Sequence, residues 1–280
     1  MNTIIFTVVV LSSLGVVSAV ILYFVAQKFK VFEDPRIDET VEILPGANCG
    51  GCGFAGCRAF AEALVKNDDI STLLCPVGGS SVMSKAAELL GKAVETKDAM
   101  IAVVRCAGSC EVRPRTNRFD GAESCLVMAT TYAGDTGCGF GCLGQGDCVV
   151  SCGFDAIRIN PETRLPEVDD EKCTACGSCV KACPKFIIEL RKKGPKNRRI
   201  FVSCVNKDKG GTARKSCGTA CIGCAKCRKA CAFDAITIDS NLAYIDNAKC
   251  KLCRKCVPEC PTNAIRELNF PPRKQEVKSE

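Results

Sequence analysis

The sequence predicts an α+β protein with a single N-terminal transmembrane helix, a small helical module and two tandem cysteine-rich units. Three observations lead to this prediction. The N-terminus is one long apolar run, the chain of 280 residues contains 25 cysteines, and a block of cysteines followed by short strand-like segments occurs twice. Cysteine chemistry therefore dominates what this chain can do.

The cysteines are spaced for metal binding rather than for disulfides. Most lie two or three residues apart, whereas disulfide-rich secreted chains are usually short and irregularly spaced. The total of 25 is odd, so complete pairing within one chain is impossible. The chain has no histidine, which excludes Rieske centres, c-type haem attachment and Cys/His zinc fingers. Thiolates that must stay reduced predict a cytosolic or equivalent compartment for the globular part.

The N-terminal apolar run predicts a membrane anchor. Ile4 to Gln27 include no charged side chain, and a helix of that length, at about 1.5 Å per residue, crosses a hydrocarbon core of about 30 Å. A cleaved signal peptide is the alternative, but no basic segment precedes the run, and the run is too long for one. Because Lys28 and Lys30 follow, we expect a single pass through the membrane, with the globular part on the cytoplasmic side.

The composition changes several times along the chain, and these changes predict its domain boundaries. We expect a transmembrane anchor at residues 1–27, a polar linker at 28–42, an N-terminal metal-binding module at 43–104, two tandem units at 105–190 and 191–270, and a flexible tail at 271–280.

The tandem units contain two stretches that align without a gap. Residues 138–157 read CGFGCLGQGDCVVSCGFDAI, and residues 217–236 read CGTACIGCAKCRKACAFDAI. Every cysteine of the second copy has a partner in the first except Cys224, which is matched by Gln145. After each stretch, apolar and polar residues alternate in two short segments, which predicts a β-hairpin between successive cysteine runs.

Three cysteine runs have the C-x2-C-x2-C-x3-C spacing of bacterial ferredoxins, in which three thiolates bind one [4Fe–4S] cluster and the fourth binds a second cluster. Pro184 and Pro261 follow two of the runs, as in that motif. A zinc ribbon is the alternative, but crowded runs of four do not suit one tetrahedral ion. We therefore expect two tandem bacterial-type 2[4Fe–4S] ferredoxin-like units. The crossed assignment predicts three ligand sets: Cys221, Cys224, Cys227 with Cys260; Cys250, Cys253, Cys256 with Cys231; and Cys173, Cys176, Cys179 with Cys152.

The N-terminal module has a different spacing, C-x2-C-x4-C-x17-C. Glycines crowd around its first three cysteines and can let backbone N–H groups approach a cluster. Apolar patterns around Phe60 and in residues 84–95 predict two short helices. Zinc is an alternative for this spacing taken alone, but beside ferredoxin-like runs we expect another [4Fe–4S] site, formed by Cys49, Cys52, Cys57 and Cys75.

The first tandem unit should contain a second cluster, but Gln145 stands where one of its thiolates is expected. Two hypotheses are open for the cysteine that takes its place. Besides Cys142, Cys148 and the crossing Cys183, a fourth cysteine is needed. Either Cys138 completes this set, giving five clusters, or a sixth cluster lies between the two halves. In the second case Cys110 or Cys125 completes the set, and the sixth cluster binds Cys106, Cys138, Cys204 and Cys217. Six clusters would use 24 of the 25 cysteines, whereas five would leave five without a cluster.

The N-terminal anchor, the segment GCGFAGCRAFAEA followed by Cys75, and the tandem ferredoxin runs together resemble the B subunit of the Rnf electron-transport complex, in its longer, cluster-rich form. The resemblance covers essentially the whole chain. It implies an electron-transfer subunit of an ion-translocating ferredoxin:NAD oxidoreductase that accepts electrons from soluble ferredoxin and passes them to membrane and flavin-bearing subunits. The chain has no glycine-rich nucleotide fingerprint, so NAD chemistry is expected in a partner and no catalytic residue is expected here.

A basic stretch supports a docking role. Residues 185–215 contain eleven Lys and Arg against two acidic residues, and a basic surface speeds encounter with an acidic carrier such as ferredoxin. A solvated basic linker is the alternative, and nucleic acid is not expected because no aromatic stacking surface accompanies the charges. Two other functions stay open: a related complex that keeps a redox-sensing transcription factor reduced, and a non-redox zinc-binding scaffold.

Overall fold

The computed structural model describes residues 2–28, 34–93, 99–131 and 134–272. Residues 29–33 of the predicted linker and residues 273–280 of the predicted tail lie outside this range. A 3-10 turn at Pro195–Asn197 precedes the fifth strand. In chain order, the elements are α1 (Asn2–Lys28), α2 (Pro35–Ile43), α3 (Cys57–Lys66), α4 (Gly79–Leu90), β1 (Met100–Val104), α5 (Cys125–Thr131), α6 (Asp147–Val150), β2 (Ile157–Ile159), β3 (Pro166–Val168), α7 (Ser178–Ala182), β4 (Ile188–Lys192), β5 (Arg199–Val202), α8 (Gly210–Ser216), α9 (Lys226–Lys229), β6 (Ile236–Asp239), β7 (Leu242–Ile245) and β8 (Ile265–Leu268).

Helix α1 is apolar on every side. Its segment Ile5–Lys28 spans 24 residues with a mean hydropathy of 2.6, and none of it is buried against other described residues. A helix that is hydrophobic all round is buried in a protein core or in a bilayer. Within the described residues, α1 is the one helix long and apolar enough to cross a membrane.

Helices α2, α3 and α4 pack around one small core, in which Phe60, Leu64 and Met83 are almost completely buried. Lys92, which follows α4, connects the ends of two helices, because its Nζ donates to three backbone carbonyls at the end of α3, at 2.7 to 2.9 Å. Helix α4 itself ends at Gly91, whose φ of 63° is the left-handed conformation that favours glycine at a helix terminus. The helix predicted around Phe60 is α3. The one predicted in residues 84–95 is α4 (Gly79–Leu90), which begins earlier than predicted, and residues 94–95 lie outside the described range.

Helix α2 corrects the predicted linker at 28–42. Asp34 caps the helix by accepting a hydrogen bond from the backbone N–H of Arg36 at 3.0 Å, and a proline occupies its first turn. Ile37 and Thr40 are buried against the rest of the module. The proline and acidic residues that predict a spacer are here the start signal of a helix.

Each tandem unit consists of a β-hairpin and a second two-stranded antiparallel sheet. The hairpins β2–β3 and β6–β7 lie where the alternating segments predict them. The second sheets pair β1 with β4 and β5 with β8, so in each unit the strand before the cysteine runs pairs with the strand after them. Because β1 belongs to the first unit and β4 extends to Lys192, the predicted boundaries at 104 and 190 are corrected to about Met100 and Lys192.

The two units share a buried seam. The N–H of Ala107 donates to the carbonyl of Ser203 at 3.1 Å, and that of Gly218 donates to the carbonyl of Val112 at 2.7 Å. Two arginines of the basic stretch also cross the seam. Arg191 donates to the carbonyl of Ile245 at 2.8 Å, and Arg199 pairs with Asp170 at 2.7 Å. Both arginines are buried, so the exposed charge of residues 185–215 is smaller than their composition suggests.

Candidate metal centres

Three cavities in the tandem units are lined by the cysteines that the crossed assignment groups together. Each cavity contains about 320 to 350 Å³ of space not filled by protein atoms, and part of that space is open to solvent. In each case three cysteines come from one run and the fourth comes from the other run of the same unit. The three sets are Cys173, Cys176, Cys179 and Cys152; Cys250, Cys253, Cys256 and Cys231; and Cys221, Cys224, Cys227 and Cys260.

Left-handed backbone lets the cysteine loops turn tightly around these cavities. Gly144 in the first unit has φ 73° and its aligned counterpart Gly223 has φ 65°. A Cβ at Gly223 would lie 2.7 Å from the carbonyl oxygen of Asn241 in the hairpin, so only glycine fits there. Backbone N–H groups also donate to sulfur, from Ala243 in β7 to Cys221 Sγ at 3.4 Å and from Ala264 to Cys260 Sγ at 3.2 Å.

A fourth cavity shows which cysteine lies beside Cys142, Cys148 and Cys183. It has a similar volume of about 350 Å³, and the cysteine that completes its lining is Cys125. Cys138, which one of the two hypotheses assigns to this set, lines a different cavity. Gln145 takes no part in the lining, and its side-chain amide instead donates to the sulfur of Met128 at 3.6 Å.

Asp147 holds Cys125 in position. Its carboxylate accepts hydrogen bonds from the N–H of Cys125 at 2.7 Å and of Leu126 at 3.0 Å, the first two residues of α5. It also accepts one from the hydroxyl of Ser124 at 3.0 Å. Burial raises the pKa of Asp147, but these hydrogen bonds outweigh it and hold the pKa below its usual value. Asp147 is therefore a tertiary cap that attaches the start of α5 to the cavity wall.

A fifth cavity, which we call the central site, lies between the two halves and has a volume of about 300 Å³. Asn206 donates from its backbone N–H to Cys204 Sγ at 3.4 Å and from its side chain to Cys138 Sγ at 3.6 Å. The hydroxyl of Thr219 lies 3.4 Å from Cys217 Sγ. The lining takes two cysteines from each half, namely Cys106 and Cys138 with Cys204 and Cys217.

Cys110 stands apart from the other cysteines. It is exposed, and its sulfur lies 3.9 Å from the carbonyl of Thr163. It lines none of the five cavities described above. The sixth-cluster hypothesis offers Cys110 or Cys125 as the fourth cysteine beside Cys142, Cys148 and Cys183. The cavity that these three line contains Cys125 and does not contain Cys110.

The cysteines of the N-terminal module also lie close together. Burial raises the pKa of Cys75, and negative charge on Cys52 and Cys57 raises it further, while the N–H groups of Gly78 and Val77 lower it. The loop that carries Cys49 is held to this group by the preceding Asn48, whose side-chain oxygen accepts a hydrogen bond from the N–H of Cys57 at 2.8 Å.

This module lies directly against the first ferredoxin-like unit. A Cβ at Gly51 would lie 2.9 Å from Cys176 Cβ and 3.2 Å from its Cα. Gly51 stands between two of the module's cysteines, and Cys176 belongs to one of the four-cysteine sets. The two cysteine loops therefore meet with no side chain between them.

Neighbouring sets influence one another electrostatically. Burial raises the pKa of Cys142, and negative charge on Cys106 in the central site raises it further. Burial likewise raises the pKa of Cys204 to about 11, with contributions from the charges on Cys221 and Cys106. In each case one cysteine of the central site is close to a cysteine of the adjacent set in one of the two units.

Burial makes several of the free thiols poor acids. It raises the pKa of Cys148 and of Cys256 to about 12, and that of Cys227 to about 11, in each case with nearby cysteine charges adding to the effect. Such thiols are protonated at pH 7, and thiolates crowded into a cavity need a cation to remain ionised. The sites are thus suited to a cationic group with several coordination points.

The cysteines of the tandem units surround open cavities, and this arrangement bears on the kind of metal group that they suit. Among the described residues, no three cysteine, aspartate or glutamate side chains converge closely enough to hold one metal ion. A structural zinc ion requires four sulfurs at about 2.3 Å from one centre. Cysteines arranged around an open cavity instead fit a group that fills the cavity and is ligated at its corners, as a [4Fe–4S] cluster is.

Comparison with known proteins supports this chemistry. Residues 44–77 match the FeS family of iron–sulfur cluster domains, and residues 136–206 and 220–264 match the 4Fe-4S dicluster domain. These matches confirm an N-terminal iron–sulfur module followed by tandem two-cluster domains, and the chain is therefore one that binds [4Fe–4S] clusters. They do not specify the number of clusters.

Three relatives align over nearly the whole chain, and each is the B subunit of an ion-translocating complex. The one from the Na(+)-translocating ferredoxin:NAD(+) oxidoreductase complex of Acetobacterium woodii is 44% identical over 95% of this chain and 78% of its own length. Its proton-translocating counterpart from Clostridium ljungdahlii is 38% identical over 96% and 94%, respectively. The one from the ion-translocating oxidoreductase complex of Methanosarcina acetivorans is 39% identical over 92% and 96%. As its cysteine motifs predict, the chain belongs to the family of B subunits of these ion-translocating, Rnf-type oxidoreductase complexes.

Proposed function

We propose that this chain is the membrane-anchored electron-transfer subunit of an ion-translocating ferredoxin:NAD oxidoreductase. In this role it accepts electrons from reduced soluble ferredoxin and passes them to membrane and flavin-bearing partner subunits. The observation that carries the proposal is the continuous series of four-cysteine sites, each adjacent to the next. The functions for which the relatives from Acetobacterium woodii and Clostridium ljungdahlii are named favour NAD reduction over the reduction of a transcription factor.

We further propose that the chain binds six [4Fe–4S] clusters, each of which supplies one-electron redox chemistry when bound. The count is supported by five four-cysteine cavities together with the N-terminal group, which use 24 of the 25 cysteines and leave Cys110 free. The proposed ligand sets are Cys49, Cys52, Cys57 and Cys75; Cys152, Cys173, Cys176 and Cys179; Cys125, Cys142, Cys148 and Cys183; Cys106, Cys138, Cys204 and Cys217; Cys221, Cys224, Cys227 and Cys260; and Cys231, Cys250, Cys253 and Cys256.

The contacts support one linear order of the sites. The N-terminal site adjoins the set containing Cys176, through Gly51. Within each unit the two sets are linked by crossing cysteines, and charge on Cys179 reaches Cys148. The central site then connects the two units, as described above. The series therefore has the N-terminal module at one end and the set containing Cys253 at the other.

The residues around each site exclude water and hold the sulfurs in place. Half of the proposed ligand cysteines are buried, which lowers the dielectric constant around their sulfurs and strengthens the hydrogen bonds that those sulfurs accept. The N–H groups of Gly78, Asn206, Ala243 and Ala264 each donate to a cysteine sulfur at 3.2 to 3.4 Å. Such hydrogen bonds orient the ligands and stabilise negative charge on the sulfurs.

We propose that α1 crosses the membrane once and leaves the globular part in the cytoplasm. Lys28 ends this helix, and cytoplasmic flanks of membrane helices are enriched in lysine and arginine. Ferredoxin and NAD are cytoplasmic molecules, so the proposed redox chemistry requires this orientation. The anchor would then keep the series of sites beside the membrane subunits that receive the electrons.

For the soluble donor we propose a docking surface on α8 and the loop before it. Lys207, Lys209, Arg214 and Lys215 are exposed there, and Asp208 is the one acidic residue among them. An acidic ferredoxin would be steered toward such a surface at low ionic strength. The segment leads directly into Cys217 of the central site, which supports electron entry near the second unit.

The test combines metal analysis with a membrane assay. The full chain, purified anaerobically in detergent and reconstituted, is expected to contain about 24 iron and 24 sulfide per chain. A content of about 20 would contradict the central site, and zinc in place of iron would contradict electron transfer altogether. Membranes that contain the full chain are expected to reduce NAD with reduced ferredoxin, and membranes in which Cys106, Cys138, Cys204 and Cys217 are all replaced by serine are not.

A further inference from the structure

Arg113 is a buried arginine that has no carboxylate partner among the residues that the structure describes. It is 8% exposed, and its Nη2 donates to the carbonyl of Cys142 at 2.7 Å. Its Nε is buried and has no hydrogen-bond partner within the described part of the chain. The other arginines buried in the seam each have a carboxylate partner, because Arg105 and Arg191 pair with Glu189 and Arg199 pairs with Asp170 at 2.7 Å. Arg199 also has a buried Nε without a hydrogen-bond partner among the described residues, but its charge is compensated by Asp170.

A guanidinium that is removed from water without an anion is strongly destabilising, because its hydration is lost and nothing replaces it. One hydrogen bond to a neutral carbonyl does not compensate for the charge. The location of Arg113 therefore implies that negative charge is supplied by whatever occupies the adjacent cavity.

Two glycines make room for this side chain. A Cβ at Gly108 would lie 3.1 Å from Cδ and 3.2 Å from Nε of Arg113, and 3.3 Å from Cys217 Sγ. A Cβ at Gly141 would overlap the guanidinium itself. All of these residues line the central site. Arg113 thus passes between two backbone segments to reach the cavity wall, with its unpartnered Nε beside a cysteine of the central site.

Arg113 lies between two adjacent sites. Its side chain lines the central site, and its Nη2 donates to the carbonyl of Cys142, which belongs to the neighbouring set in the first unit. The guanidinium is therefore placed to stabilise negative charge on both sides of the step between the first unit and the central site.

We propose that Arg113 is the fixed counter-cation of the central site and raises the reduction potentials of the central cluster and of its neighbour on Cys142. With four thiolates, an oxidised [4Fe–4S] cluster carries about two net negative charges, and one more after it takes up an electron. A fixed cation stabilises the more negative state to a greater extent. The proposal rests on the ligand sets given under the proposed function, and it involves electron uptake only, with no bond or proton exchanged.

The test measures potentials in the full-length, reconstituted chain by redox titration followed by electron paramagnetic resonance. Arg113→Met removes the charge. In this variant we expect the redox equilibrium of one or two clusters to shift about tenfold toward the oxidised form, so that their reduction potentials fall by about 59 mV, the value for a one-electron couple. Arg113→Lys keeps the charge and is expected to shift much less. Arg115→Met is the matched control, since Arg115 lies in the same loop but is 51% exposed and pairs with Asp135.

Iron content separates the possible outcomes. About 20 iron in the unsubstituted chain would refute the central ligand set, and with it the proposed six clusters. About 24 iron in all variants with unshifted potentials would refute the role of Arg113 alone. If Arg113→Met loses about four iron and Arg113→Lys retains them, charge compensation is supported. If both variants lose iron, or both shift equally, the shape of the arginine and not its charge is responsible, and the proposal is wrong.

Discussion

The two ferredoxin-like units share the same strands and cysteine runs but obtain one ligand position in different ways. In the second unit, Cys224 lies within the run and is exposed at the surface. In the first unit the corresponding residue is Gln145, and the cavity is completed by Cys125, which is buried at the start of α5. Cys106 and Cys138 are 32 positions apart, whereas their counterparts Cys204 and Cys217 are only 13 apart. The longer segment carries α5.

This difference shows that a four-cysteine site can be kept although its sequence motif is incomplete. Helix α5 supplies the sulfur of Cys125 from outside the cysteine run. Cys224 is held in place by its neighbours in the run, whereas Cys125 is held by its hydrogen bond to Asp147. The aligned residue in the second unit is Lys226, which cannot accept such hydrogen bonds. The inserted helix and its acidic cap therefore belong together.

The largest expected effect comes from removing Cys125. Cys125→Ala is expected to lower the iron content by about four per chain, because the cavity retains only three thiolates. Adding Gln145→Cys to this variant restores the intact spacing and is expected to recover the iron. Cys110→Ala is the control and should lose none. If Cys138→Ala depleted the first-unit cluster and Cys125→Ala did not, as distinguished by their spectra, the assignment would be reversed.

The two units also differ in what lies against the second cysteine of their last run. The N-terminal module contacts the first unit at Cys176, whereas the aligned Cys253 of the second unit is exposed. Gly51→Ala places a methyl group against the backbone of Cys176 and is expected to separate the two loops. We expect electron transfer to or from the N-terminal cluster to slow about tenfold in flash-reduction experiments, with unchanged iron.

Gly153→Ala is the matched control for this change. Gly153 follows a cysteine of the same set, has nothing within 4 Å of an added Cβ, and is aligned with Ala232 in the second unit. If both variants behaved like the unsubstituted chain, the contact at Gly51 would have no part in electron transfer.

Surface charge provides a third comparison. Helix α8 of the second unit carries exposed Arg214 and Lys215, whereas α5, which precedes Cys138 in the first unit, contains no charged residue. Replacing both α8 residues with glutamate is expected to slow ferredoxin association several-fold at low salt, with a smaller effect at high salt. Stopped-flow rates at two ionic strengths measure this. An equal effect from Leu126→Glu on α5 would indicate that ferredoxin docks at both units.

The smallest effect is expected at the cap of α5. Asp147→Ala should lower the free energy of unfolding by about 1 kcal/mol, the usual contribution of a helix cap. Because the pKa of Asp147 is lowered in the folded protein, its contribution is fully present above the unfolded value of about 3.9 and is lost as the pH falls through the folded value. Denaturation measured at pH 7 and at pH 3 should show that the difference in unfolding free energy between Asp147→Ala and the unsubstituted chain is smaller at pH 3. Asp120→Ala changes an exposed residue and should not differ from the unsubstituted chain at either pH.

Local patterns predicted much of this architecture. The three intact runs, the hairpins, the helix around Phe60 and the apolar anchor all follow from short-range spacing and periodicity, and the structure contains each of them. The family and the tandem cluster domains were also predicted, because the combined motifs are far more specific than any one of them. These features require no information about which distant segments meet.

The remaining features depend on long-range contacts. The pairing of β1 with β4 joins segments nearly ninety residues apart, and no local signal reveals it. The choice between Cys110, Cys125 and Cys138 depends on how a long loop closes, and the closing interaction is a carboxylate 22 residues away from Cys125. Helix α2 could have been identified, since Asp34 followed by Pro35 is a typical helix start.

The division of the central site between the two halves has a consequence for biosynthesis. Its first cysteine is Cys106 and its last is Cys217, so the site does not exist until most of the chain has left the ribosome. The cysteines of the N-terminal module and of the first unit are all made before Cys204, so clusters could be inserted there before the second unit exists, whereas the central site has to wait for Cys217. A truncated product carrying a single unit would lack both this site and the seam that surrounds it.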